Sequence, residues 1–223
     1  MVNAILYQAR TGCQWRYLPG HFGPWGAIWP QFRRWRAKGV WEKGPDPAPQ
    51  GGPDQGRPGP RTVDGHARLS DRQGRTRRAR FHEAGGKYGG TFGAKRTVLI
   101  DYLGLPVAAR VDSARPHDSK TGRMLLDHSL PGLPRVGEVL AGLGFEPLVK
   151  GIQRRHKVTV TTKGWRKPNK PKGFKLIRPL WKLEDCFAQL GRWRRLSRSY
   201  EATTESATTW LHVACVGYLL TKL

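Results

Sequence analysis

Leu180, Leu183, Phe187 and Leu190 recur at helical spacing in PLWKLEDCFAQLGRWRRLSRSYE, residues 179–201, and predict a helix over about 180–197 with one buried stripe. Glu184 then lies at the edge of that stripe and the arginines face outward. TTWLHVACVGYLL predicts a second helix over about 205–222. Interrupted by His212 and Gly217, it is too short to span a bilayer and reads as a buried helix. Upstream, RTVLIDYLG and LPVAARVDS are β-branched runs joined at Gly104, the pattern of a hairpin. SKTGRMLLDHSL predicts a helix capped by Asp118 or Ser119, RVGEVLAGLGF a short buried strand, and EPLVKGIQRRH a further helix. KVTVTT and FKLIRP add two strand candidates around the basic loop KGWRKPNKPKG. Strands alternating with helices predict an α/β architecture, and no internal repeat is visible.

The first zone, residues 1–43, is aromatic and basic. Ile28, Phe32 and Trp35 sit at helical spacing with arginines between them, and Pro30 is expected in the first turn of that helix. The tryptophans can form a core, or with Arg33, Arg34 and Arg36 a small helical DNA-contacting domain. Residues 44–80 contain no aromatic residue and almost nothing large and apolar. Such a segment buries too little surface to offset chain entropy, which predicts a disordered Gly/Pro/Arg-rich linker. Residues 81–223 would then form the main domain.

Composition narrows the partners. The 223 residues include 40 Lys+Arg against 16 Asp+Glu, a net charge of +24, with 38% hydrophobic residues. That supports a real core and points to a polyanion, nucleic acid before an anionic membrane surface. Cys13, Cys186 and Cys215 are scattered without a CxxC, which fits a reduced, cytosolic compartment. MVNAILYQARTGCQW lacks a basic stretch followed by a long apolar run, so no signal peptide is expected. Lys95 and Arg96, Arg154 and Arg155 in RRH, and Arg192, Arg194, Arg195 and Arg198 in GRWRRLSRS are candidate phosphate contacts. Trp165 and Trp193 are available to stack on bases. His117, Asp118 and Ser119 are adjacent in the chain and cannot adopt a triad geometry, so capping is their expected role.

Two longer patterns carry a resemblance. EAGGKYGGTFGAKRTVLIDYLGLPVAARVDSARPHDSK has a Gly-rich lead-in, the basic pair Lys95 and Arg96, a strand ending in Asp-x-x-Gly, and a later His-Asp-Ser. Trp181, Glu184, LGRWRRLS and SYE follow in order, and ILYQARTGCQWRYLP with FGPW opens the chain. With these motifs the chain resembles the DDE transposases of bacterial insertion sequences, of the insertion-sequence-five type. The resemblance implies a ribonuclease-H-like fold, two aspartates on strands and a glutamate on a helix, and Mg²⁺-dependent cleavage and transfer of DNA strands. Two-metal displacement needs convergent hard oxygen ligands. Glu184 falls on the family's glutamate and would be a metal ligand.

The other two ligands depart from the pattern. The family's Ala-Asp-x-Gly-Tyr is matched by Ala141, Gly142, Leu143, Gly144 and Phe145, so glycine stands where the second aspartate belongs. Neither Glu138 nor Glu146 can substitute, because a few residues along a strand change both face and reach. No apolar strand supplies the first aspartate; Asp64 and Asp71 are the nearby candidates, and both read as solvated linker acids. A codon choice for Thr62 through Gln73 exists whose next frame reads Arg-Ser-Met-Val-Met-Leu-Asp-Ser-Arg-Thr-Val, the missing strand motif. Residues of about 44–80 are therefore expected to be translated out of frame. The expected function is that of a transposase binding its element's terminal repeats on double-stranded DNA, as a homodimer, nucleoid-associated in the bacterial cytoplasm, with no membrane role and with impaired chemistry. The alternatives are a non-catalytic DNA-binding remnant and a basic RNA-binding module.

Overall fold

The computed structural model of the chain describes residues 1–43, 62–69, 83–84, 91–163 and 180–222. The helices are α1 (Val2–Thr11), α2 (Trp25–Ala37), α3 (Val40–Lys43), α4 (Asp118–Ser129), α5 (Val149–His156), α6 (Trp181–Gly191), α7 (Arg194–Arg198) and α8 (Thr204–Leu220). The strands are β1 (Thr62–Leu69), β2 (Glu83–Ala84), β3 (Thr91–Phe92), β4 (Ala94–Asp101), β5 (Pro106–Ser113), β6 (Glu138–Gly142) and β7 (Thr159–Lys163). They fall into two units: one holds the described residues up to 43 and from 188 on, the other those from 62 to 187.

In the second unit five strands form a sheet in the order β5-β4-β1-β6-β7, while β2 and β3 pair separately. β4 runs antiparallel to both β5 and β1; β6 is parallel to β1 and to β7. The β4–β5 hairpin turns at Gly104, whose φ of 90° suits glycine. Asp101 fixes the turn, its Oδ1 accepting from the backbone N–H of Leu103 and Leu105, each at 2.9 Å. One core gathers Leu99, Val139, Ala141 and Val160 from the sheet with Leu126 of α4 and Ile152 of α5. Val98 and Ile100, on the opposite face of β4, are also fully buried. β4 is thus covered on both sides, as its unbroken VLI run implies.

The central strand corrects the linker expected over 44–80. Residues 62–69, including Asp64, pair with β4 on one side and β6 on the other. Gly65, His66 and Arg68 break up the apolar run that a central strand normally shows, so the strand is held by its ladder pairing and carries little hydrophobic pattern. Asp71 and the FKLIRP candidate lie outside the described residues.

In the first unit, Ile28 and Phe32 bury one side of α2, and the Phe32 ring stacks on Trp210 of α8 with centroids 4.6 Å apart. Trp15 completes that aromatic cluster, 5.5 Å from Phe32 and 6.0 Å from Trp210. The expected boundary therefore moves: the N-terminal helices share a core with α7 and α8, so residues 188–222 belong with them. Pro30 is also corrected, for α2 starts at Trp25 and places the proline inside the helix. The missing N–H leaves the Gly26 carbonyl without its helical donor. The single helix expected over 180–197 is broken, because Trp193 leaves helical backbone at φ −83° and ψ 105°. Its indole fills the space over Gly217, where an added Cβ would lie 2.1 Å from the ring. α8 is buried from Thr209 to Cys215, as read from its apolar run, and no helix among the described residues is long and apolar enough to cross a membrane.

Candidate active site

β6 ends at Gly142, where the sequence pattern predicts the family's second aspartate. Its φ of −75° and ψ of 165° are open to any L-residue, so the backbone does not require glycine there. The residues after it are more constrained. A Cβ at Gly144 would stand 2.9 Å from Asp118 Oδ2. The Phe145 ring lies over Gly122, where an added Cβ would come within 2.4 Å of it. Packing therefore constrains positions 144 and 145, whereas position 142 is left open to a side chain.

Register places the candidate aspartate relative to that gap. Asp64 pairs with Ile100 of β4 and Leu140 of β6. In-register residues share a face and the period along a strand is two, so positions 64, 140 and 142 belong to one face. Position 142 is two residues, about 7 Å, further along the parallel strand direction.

Glu184 is exposed in the first turn of α6, where a carboxylate suits the positive end of the helix dipole. The buried side of the same helix consists of Leu183, Cys186 and Leu190. Cys186 was missing from the stripe read in the sequence, and Phe187 is only half-buried. Lys182 Nζ donates to the Tyr102 carbonyl, anchoring α6 beside the β4–β5 turn. Burial, with the charges of Asp185 and Asp101 adding to it, pushes the Cys186 thiol up to about 12. Asp101 Oδ1 is occupied in accepting from the backbone N–H groups of the β4–β5 turn.

A divalent ion of the kind the family uses needs several converging oxygens. Among the described residues no group of three His, Cys, Asp or Glu side chains is placed to hold a metal. Gly142 adds no side-chain oxygen, so these residues do not fit a two-metal set.

The predicted phosphate-contacting cations separate into two kinds. Lys95 is buried, its Nζ 2.7 Å from Asp118 Oδ1 and also bonded to the Pro116 carbonyl, so it joins β4 to α4 and cannot reach DNA. With Asp118 so held, His117 takes the cap of α4, its Nδ1 accepting from the Ser119 N–H at 3.3 Å in place of the expected Asp118 or Ser119. Arg195 is likewise internal, 2.6 Å from Glu201 Oε1 and 4.2 Å above the Trp210 ring. Trp193 is buried and takes Arg10 on its face, which removes it as a base-stacking candidate. Arg155 is exposed and bridges Asp127 at 3.1 Å; Arg154, Arg192, Arg194 and Arg198 are exposed. On α2, Arg34 donates to Gln31 and Arg33 lies over Trp29; the Glu205 carboxyl pKa is lowered chiefly by its own backbone N–H, with Arg36 adding a smaller pull. Arg96 is half-buried on β4. Trp165 lies outside the described residues.

Two family models match the chain. That of IS4/5 family transposases covers residues 1–44, and that of the transposase DDE domain covers residues 62–220. No curated protein and no solved structure matches it. The DDE domain implies a ribonuclease-H-like fold for the sheet, and its match begins at β1. On the match across most of its length, this chain belongs to the DDE transposases of the IS4/5 type.

Proposed function

We propose that this chain binds DNA, as its family's role in transposition requires, and is impaired in strand cleavage and transfer. The observation that carries the reading is Gly142: an ordinary backbone in an otherwise intact turn, lacking the carboxylate on which two-metal chemistry depends. Glu184 remains as a candidate Mg²⁺ ligand, with Asp64 on the central strand as the candidate first aspartate and Asp71 as a weaker one. The exposed arginines Arg154, Arg192, Arg194 and Arg198, with Arg33, Arg34 and Arg36, supply phosphate contacts to double-stranded terminal repeats, on which the chain acts as a homodimer in the nucleoid.

The test is to incubate the protein with end-labelled duplex DNA carrying the element's terminal repeats, with Mg²⁺ or Mn²⁺, and follow retention and cleavage together. Retained duplex with no metal-dependent cut is expected. A metal-dependent cut above a Glu184→Gln control overturns the impairment, and failure to retain duplex overturns the DNA-binding reading. Sequencing the gene across codons 44–80 tests the frame: the motif Met-Leu-Asp-Ser in the next frame is expected, and its absence would make the in-frame segment genuine.

A further inference from the structure

We infer that the outer side of α2, formed by Trp25, Trp29 and Arg33, is a stacking surface for unpaired bases of DNA. The inference rests on the DNA-binding reading above and specifies the form of DNA and the side chains that take it.

The two tryptophans lie one helical turn apart and neither belongs to the core. Ile28 and Phe32 fill the buried side of α2 with 2% and 5% exposure, whereas Trp25 and Trp29 keep 41% and 37%. Large indoles left this open on a helix whose other side is well packed mark a surface that awaits a partner. Each carries a guanidinium: Arg16 lies 5.6 Å from the Trp25 ring centroid and Arg33 lies 4.8 Å from that of Trp29. These contacts steady the rings and surround them with positive charge. Tyr17, beside Arg16 in the chain, is 73% exposed.

Charge selects the occupant. α2 carries Arg33, Arg34 and Arg36 and no acid, in a chain of net charge +24. A second copy would bring the same positive helix against it, and an apolar protein partner gains nothing from the arginines. A nucleic acid strand supplies phosphates for the guanidinium groups and base faces for the indoles. In duplex DNA those base faces are stacked inside, so rings that stack require bases already unpaired. The i, i+4 spacing separates the platforms by about 6 Å along the helix, close to two base steps of about 3.4 Å. Two bases with one base between them fit this spacing.

The test measures affinity by fluorescence anisotropy for a labelled single strand and its duplex at one salt concentration, using the full chain and its Trp25→Ala/Trp29→Ala variant. Single-strand affinity is expected to fall roughly 30-fold and duplex affinity less than about threefold. A Trp25→Phe/Trp29→Phe variant, which keeps the rings, should retain most single-strand binding and so separates stacking from misfolding. Equal loss on both forms, or no loss on either, overturns the inference and leaves duplex binding standing. A parent chain that binds neither form overturns both readings. A changed sedimentation state with unchanged DNA affinity identifies the face as a contact between copies and also overturns the inference.

Discussion

Position 142 and its neighbours make opposite demands on a side chain. Because φ and ψ at Gly142 are ordinary, Gly142→Asp should fold with stability within about 1 kcal/mol of the parent in urea unfolding. Gly122→Ala should instead cost about 1–3 kcal/mol, since its Cβ would meet the Phe145 ring at 2.4 Å. The two internal cations make a similar contrast with the exposed ones. Arg195→Ala leaves Glu201, 10% exposed, without its ion partner and should lower stability by about 3 kcal/mol. Arg198→Ala should leave stability unchanged and weaken DNA binding. For Cys186, raised from 9.0 to about 12, the thiol stays protonated across neutral pH in the folded chain. Its contribution to stability is whole below about 9 and is lost as pH rises through about 12. Maleimide labelling at pH 7 should therefore reach Cys13 before Cys186, with Cys186 reacting only on unfolding.

Elements differ in how openly the chain announces them. The β4–β5 hairpin, α4, β6, α5 and β7 follow from alternation, helical spacing and turn residues close to where the structure has them. β1 does not, because Asp64, Gly65, His66 and Arg68 erase the apolar signature while ladder pairing on both sides keeps the strand. Replacing the segment around β1 by the shifted-frame peptide RSMVMLDSRTV should raise the urea midpoint, since methionine, valine and leucine would enter a strand flanked by buried neighbours. Glu184 and Gly142 are candidates read from local motifs, which a sequence displays without the fold. Lys95 and Arg195 were misread because a sequence shows a charge but not its partner: Asp118 lies 23 residues from Lys95 in the chain. Trp193 failed for the same reason, its seat at Gly217 being set by packing between α7 and α8. The boundary at residue 43 was invisible too, because the Phe32–Trp210 stack joins opposite ends of the chain. A chain lacking residues 1–43 should accordingly expose Trp210 and bind a hydrophobic dye such as ANS that the full chain does not.

Across the molecule a net charge of +24 should make the proposed DNA binding depend on salt before it depends on sequence. The logarithm of the binding constant should fall linearly with the logarithm of salt concentration, and Arg192→Ala should lessen that slope by about one. Lys95→Ala should leave the slope alone, its charge being spent on Asp118. The relaxed backbone at Gly142 also bears on the history of the gene. Glycine and aspartate codons differ at the second base, so wherever the third base is a pyrimidine one transition restores the carboxylate, into a turn already shaped to receive it. A frame change around β1 needs an insertion or deletion to undo. If sequencing finds the shifted frame, the two changes differ as records of decay: one can be erased by a single copying error, while the other would persist until a second insertion or deletion.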